Sequence, residues 1–149
     1  ASDYAGLRLV YAAGPLSVAL ATATEACLAS GANCAAGAAD VSRTNVGASY
    51  DMGFIKPMFN YTTAEDKVSG LDVSNTMIGL TAPVGPGLLK ASYTVTDLDT
   101  VGDAKQLGLG YEYSLSKRTA VYANYARITA DAGVNAKVRA FEAGLRHSF

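Results

Sequence analysis

The sequence predicts an all-β protein, a transmembrane antiparallel β-barrel meander of about nine strands, and three observations carry that prediction. Apolar and non-apolar residues alternate with period two in nine successive segments. Short, turn-rich links alternate with longer polar ones. The non-apolar face is thinly charged for a surface that a soluble domain would show to water.

The first segment, Gly6 to Tyr11, sets Leu7, Leu9 and Tyr11 against Gly6, Arg8 and Val10. Ala13-Gly14-Pro15 turns it into Leu16 to Ala23, where Leu16, Val18 and Leu20 oppose Ser17, Ala19 and Ala21. Thr44 to Asp51 follows, with Val46, Ala48 and Tyr50 against Asn45, Gly47, Ser49 and Asp51. A turn at Met52-Gly53 leads to Ile55, Pro57, Phe59 and Tyr61, alternating with Lys56, Met58, Asn60 and Thr62. Thr76, Ile78, Leu80 and Ala82 alternate with Met77, Gly79 and Thr81 before Pro83-Val84-Gly85-Pro86-Gly87 reverses the chain. Leu89, Ala91, Tyr93 and Val95 alternate with Lys90, Ser92, Thr94 and Thr96; Leu107, Leu109, Tyr111 and Tyr113 do so with Gln106, Gly108, Gly110 and Glu112. After Ser114-Leu115-Ser116-Lys117, Val121, Ala123 and Tyr125 oppose Tyr122, Asn124 and Ala126. The ninth segment has Phe141, Ala143, Leu145, His147 and Phe149 on one face and Ala140, Glu142, Gly144, Arg146 and Ser148 on the other. A helical stripe would mix Lys and Glu with Leu in nearly every segment.

The links sort into short ones around 13–15, 52–53, 83–87 and 114–117 and longer ones around 24–43, 64–73, 97–105 and 129–136. A membrane meander produces that alternation when one rim faces the periplasm and the other the outside. Tyr11, Tyr50, Tyr61, Tyr113 and Tyr125 fall near the ends of the apolar faces, where an interfacial girdle would put them. Arg127 points to the lipid side unless it lies at the outer rim, where it could reach headgroups. No apolar run approaches the ~20 residues of a spanning helix, which leaves barrel strands as the way across.

Composition agrees. Nine Tyr, no Trp and 15 Gly in 149 residues suit strands better than helices, and the length suits one domain. A net charge of −1 favours neither nucleic acid nor an anionic surface as partner. The start, Ala1-Ser2-Asp3-Tyr4, has neither the basic nor the apolar part of a signal peptide, so that segment is expected to have been removed or to lie upstream. Cys27 and Cys34 stand in a Gly/Ala/Ser/Asn-rich stretch. A disulfide there would contribute roughly 2–3 kcal/mol and implies an oxidising compartment. The alternatives are two free thiols or half of a metal site, which would need two more ligands.

Catalysis is not expected. One histidine, His147, gives no triad, metal cluster or acid–base pair, and no glycine-rich phosphate loop or cofactor motif occurs.

The last strand adds a resemblance. Gly144-Leu145-Arg146-His147-Ser148-Phe149, ending on an aromatic residue, resembles the terminal strand of Gram-negative general (trimeric) outer-membrane porins. Gly110-Tyr111-Glu112-Tyr113-Ser114-Leu115-Ser116-Lys117-Arg118-Thr119 with Val121-Tyr122-Ala123-Asn124-Tyr125 resembles that family's penultimate hairpin. Tyr11-Ala12-Ala13-Gly14-Pro15-Leu16 and Phe54-Ile55-Lys56-Pro57 are similar to the β-proteobacterial type. The resemblance spans essentially the whole chain. It implies that residues 1–149 are the C-terminal part of a sixteen-stranded barrel, with about seven strands and an inward-folded constriction loop outside this chain. Nine strands cannot close an antiparallel barrel, because the first and ninth run in the same direction.

The implied function is an outer-membrane channel for passive diffusion of small hydrophilic solutes and ions. Implied partners are those solutes, outer-membrane lipid, two further copies in a homotrimer, and the barrel-assembly machinery, which would read Phe141, Leu145, His147 and Phe149. The inward face would carry Arg8, Lys56, Lys90 and Arg146, with Asp51, Glu112 and Glu142 as counter-charges. The modest basic excess favours a weak anion preference. The rivals are a small structural or adhesive barrel, with an even strand number and a dense inner charge network, and a secreted soluble β-sandwich that binds a partner.

Overall fold

Each alternating segment becomes a strand. β1 spans Ser2–Ala13, β2 Leu16–Cys27, β3 Asp40–Tyr50, β4 Lys56–Asp66, β5 Leu71–Val84, β6 Gly87–Leu98, β7 Gly102–Ser114, β8 Thr119–Ala130 and β9 Ala136–His147. The structure is a computed structural model and describes residues 2–27, 40–67, 70–98, 102–131 and 136–148. The strands form one antiparallel sheet in chain order, β1 to β9. Among the described residues no pairing joins β1 to β9, so these two outer strands each keep one unpaired edge.

Local chemistry fixes the reversals at one rim. Gly14 and Gly85 take φ of 54° and 59°, each followed by proline. Glycine accepts the left-handed conformation at no steric cost, and proline then sets φ near −65°, which turns the chain within two residues. The 51–55 link is closed by Asp51, whose Oδ1 accepts from the Gly53 N–H at 2.8 Å, and by Met52 N–H donating to the Ile55 carbonyl at 3.0 Å. At 115–118 the Ser116 hydroxyl oxygen accepts from the N–H of Arg118 and of Thr119.

The strands run further than the alternation suggests, most of all toward the other rim. β4 continues to Asp66, β7 begins at Gly102 and β8 runs to Ala130. Three of the four links expected to be long therefore shrink to 67–70, 99–101 and 131–135, and the contrast in length rests on residues 28–39. The cause is visible in the side chains. Beyond the apolar stretch that same face turns polar (Thr63, Glu65, Asp72, Ser74, Asp97, Asp103), so pairing continues where the period-two signal has ended. Tyr11, Tyr50 and Tyr113 lie within two residues of the short-link rim, as expected of a girdle. Tyr61 and Tyr125 do not. They fall mid-strand, because β4 and β8 extend past the point where alternation fades.

The apolar side chains do not pack together. Among the described residues Ala120 is the one buried apolar side chain, at 6 % exposure, while Ile78, Leu145 and Phe141 stand 60 %, 62 % and 73 % exposed. Only strands adjacent in sequence touch one another. A soluble sandwich needs a second sheet across a core about 10 Å thick, so that reading fails. Among the described residues no helix is long and apolar enough to cross a membrane.

Candidate pore wall

Cross-strand partners share a face, so the register sorts every side chain. Arg8 faces Ala21, which faces Asn45, and the rung continues through Thr62, Asn75 and Thr96. Lys56, Thr81, Lys90, Gly110, Asn124 and Glu142 form a second rung on the same face. Glu112 with Tyr122 and Gly144 lies one rung nearer the short links, and Arg146 with Ala120 and Ser114 lies on the next. Six of the seven residues expected on the pore wall thus share one face. Asp51 stands apart, just past β3 in its turn.

The charges on that face are organised. Lys90 Nζ donates to Glu112 Oε2 at 3.2 Å, and Arg146 Nη2 reaches over β8 to Glu112 Oε1 at 2.5 Å. A small residue makes the reach possible, since Ala120, opposite Arg146, leaves room over β8. The Tyr122 hydroxyl donates to Glu142 Oε1 at 3.0 Å. Its ring lies over Gly144, where an added Cβ would stand 2.5 Å from the hydroxyl oxygen. Arg8, Lys56 and Arg43 form no ion pair among the described residues. Exposed pairs of this kind contribute about 0.2–1 kcal/mol each, so their effect is on the field rather than on stability.

Nearer the other rim, uncharged polar side chains of β3 to β6 bond one another on this face. Asn45 Nδ2 donates to Asn60 Oδ1 at 3.1 Å and to Thr62 Oγ1 at 2.6 Å, and Asn75 Nδ2 donates to Thr96 Oγ1 at 2.8 Å. Two hollows open on this side. One of about 400 Å³ lies over Gly79, Gly108 and Gly110, edged by Lys90, Asn124 and Glu142. The other, about 280 Å³, has Ala21 and Ala23 as floor and Arg8, Arg43 and Asn45 at its sides.

Sequence reasoning missed Arg43, because the third segment was begun at Thr44; the run Arg43, Asn45, Gly47, Ser49 already carried the signal. It also missed the position of the Tyr122 ring over Gly144, which depends on register. Phe141, Leu145 and His147 lie on the apolar face of β9, with His147 Nδ1 2.9 Å from Thr119 Oγ1. Phe149, Cys34 and the side chain of Cys27 lie outside the described residues, and with them the disulfide expectation. Among the described residues no three of His, Cys, Asp and Glu converge as a metal site would need.

Comparison with known proteins gives a consistent result. The family model described as Gram-negative porin matches residues 1–133. Outer membrane porin protein 32 of Delftia acidovorans is 34 % identical over 128 residues, covering 83 % of this chain and 35 % of its own length. The structure of an anion-selective porin from Comamonas acidovorans superposes with a TM-score of 0.79 at 29 % identity, over 98 % of this chain and 49 % of that one. The trimer form of OmpT from Vibrio cholerae, at 21 % identity, shares the fold with a TM-score of 0.75 over 98 % of this chain and 56 % of its own. The chain thus spans about a third of its curated relative's length and about half that of its structural relatives.

Proposed function

The chain belongs to the Gram-negative porin family and to the bacterial outer membrane, and from that premise we propose that its polar face is the wall of a water-filled channel for passive diffusion of small hydrophilic solutes and ions. Hydrocarbon wets the Leu/Ile/Tyr face, and water wets the face of Arg8, Lys56, Lys90, Glu112, Glu142 and Arg146. Asp51 borders the opening at the short-link rim. The observation that carries the reading is the pairing of an exposed apolar face without a covering layer with an opposite face of glycines and charges. A plugged adhesive barrel would fill that second face with bulky groups; Gly79, Gly108 and Gly110 leave a hollow there instead.

The full barrel is read as sixteen-stranded, with this chain as its C-terminal nine strands and one of three subunits. The chain is not an enzyme but a conduit, with size set by a constriction outside it. Phe141, Leu145, His147 and Phe149 are the residues the assembly machinery would engage.

A weak anion preference follows from the strand charges on the polar face. Arg8, Arg43, Lys56, Lys90 and Arg146 face Glu25, Asp66, Glu112 and Glu142. Two cations share Glu112, whereas Arg8 and Arg43 flank their hollow without an ion pair among the described residues. Unneutralised wall cations raise the local concentration of anions in the lumen. The anion selectivity of the Comamonas relative points the same way. The test is the reversal potential of the full-length protein in a KCl gradient. Anion preference that falls in Arg8→Gln/Arg43→Gln supports the proposal, and cation preference in the wild type overturns it.

A further inference from the structure

We propose that Tyr4, Arg8 and Arg43 form a subsite on the outer half of the pore wall for the phosphoryl group of a small phosphate or phosphate monoester. The site deepens the channel reading and rests on it, since its face must be wet by the lumen. Arg8 of β1 stands opposite Ala21 of β2, and Arg43 of β3 stands opposite Ala23, one rung further from the tight turns. The two arginines therefore flank β2 from either side, about 12 Å apart at Cα. Between them the wall drops to Ala21 and Ala23, the floor of the hollow of about 280 Å³. Tyr4 closes a third side. It shares one face of β1 with Gly6 and Arg8, and its ring leans over Gly6. A Cβ built on that glycine would stand 3.0 Å from the tyrosine hydroxyl oxygen and 3.3 Å from the Ala23 Cβ. The hydroxyl thus lies beside the same alanine that Arg43 borders.

The state of these groups selects the ligand. Neither ion pair between described residues involves Arg8 or Arg43, and no described residue hydrogen-bonds the Tyr4 hydroxyl. Asn45, at the edge, is already held by Asn60 and Thr62. Glu25, the carboxylate of this face closest in register, sits opposite Tyr4 a rung nearer the strand ends and does not line the hollow. Two charged forks and a hydroxyl therefore reach one hollow from three sides. A guanidinium fork meets phosphate oxygens in two parallel hydrogen bonds. A phosphoryl dianion offers three terminal oxygens, one for each donor group, whereas a carboxylate offers two and leaves a donor unanswered. Position suits capture. Tyr4 lies two residues from the start of β1 and Arg43 three from that of β3, at the rim away from the tight turns. In a barrel with short periplasmic turns that rim faces outward. A solute entering from outside meets the site before the middle of the pore, and binding must stay weak enough for release inward.

The experiment uses the full-length protein in neutral detergent and follows the phosphorus NMR line of a hexose phosphate as protein is added. The wild type should broaden the line saturably, and inorganic phosphate should displace the ester. Succinate, a dianion without a phosphoryl group, should need roughly tenfold more to do so. Tyr4→Phe keeps every charge and removes one donor, and should weaken binding roughly three- to tenfold. Arg8→Gln/Arg43→Gln should abolish saturation. Equal displacement by succinate, or undiminished binding by either variant, overturns the proposal, because the signal would then report the general field of the wall. An ester held far more tightly than inorganic phosphate assigns the site to esters, and comparable affinity assigns it to free phosphate; both uphold it. The reversal potential of the wild type in KCl tests the channel reading separately. Anion preference there, without saturable phosphate binding, refutes this site alone.

Discussion

Replacing Ile78 with arginine should destabilise the barrel far more than the same change at its neighbour Met77. Ile78 is the eighth of the 14 residues of β5, 60 % exposed in the isolated sheet, beside Phe59 and Tyr93. Removing an Ile side chain from an apolar environment costs about 1.5–3 kcal/mol when burial is complete. At this exposure hydrocarbon supplies roughly 1–2 kcal/mol of that. A cation near the bilayer midplane adds about 2–4 kcal/mol. The expected loss for Ile78→Arg is therefore roughly 3–6 kcal/mol. Met77 is on the opposite face, across from Asn60 and Thr94. An arginine there meets water, and the change should stay within about 1 kcal/mol. Unfolding of the full-length protein in phosphatidylcholine vesicles by guanidinium, followed by heat-modifiable gel migration, measures both. If Ile78→Arg were as stable as wild type, or Met77→Arg the worse of the two, the assignment of oil and water to the two faces would be wrong.

Glu112→Gln frees Lys90 and Arg146 together. Because both cations are half-exposed or more, stability should change by under about 1 kcal/mol, while the reversal potential shifts further toward anions; a shift toward cations would contradict the wall assignment. Gly144→Ala brings a methyl group within 2.5 Å of the Tyr122 hydroxyl oxygen and forces the ring off its place, at about 1–3 kcal/mol. In a cycle with Tyr122→Ala the two changes should be clearly non-additive, and simple additivity in the same unfolding assay would refute the contact between ring and glycine.

The reach of sequence reasoning can be judged on particular residues. Arg8, Lys56, Lys90, Glu112, Glu142 and Arg146 were assigned to one face from alternation alone, and the register keeps them there. Strand ends were less legible. Arg43 was lost because alternation was traced only from Thr44, and three long links shortened because the apolar face turns polar there and the period fades while pairing goes on. Asp51 fits the alternation of β3 yet caps a turn, since a carboxylate two residues before a glycine N–H has a local partner that the period does not show.

Sequence alone determined the class of fold and which residues share each face, because side-chain direction in a strand repeats every two residues and needs no knowledge of neighbours. Only the tertiary structure decided which charges meet. The two-residue reversals at Gly14 and Gly85 and the longer turns at 51–55 and 115–118 set the register of each hairpin. Register in turn puts Arg146 within reach of Glu112 across β8, lays the Tyr122 ring over Gly144, and sets Arg127 against Arg139. Those meetings join residues 12 to 34 positions apart, a separation at which local periodicity carries no information about contact.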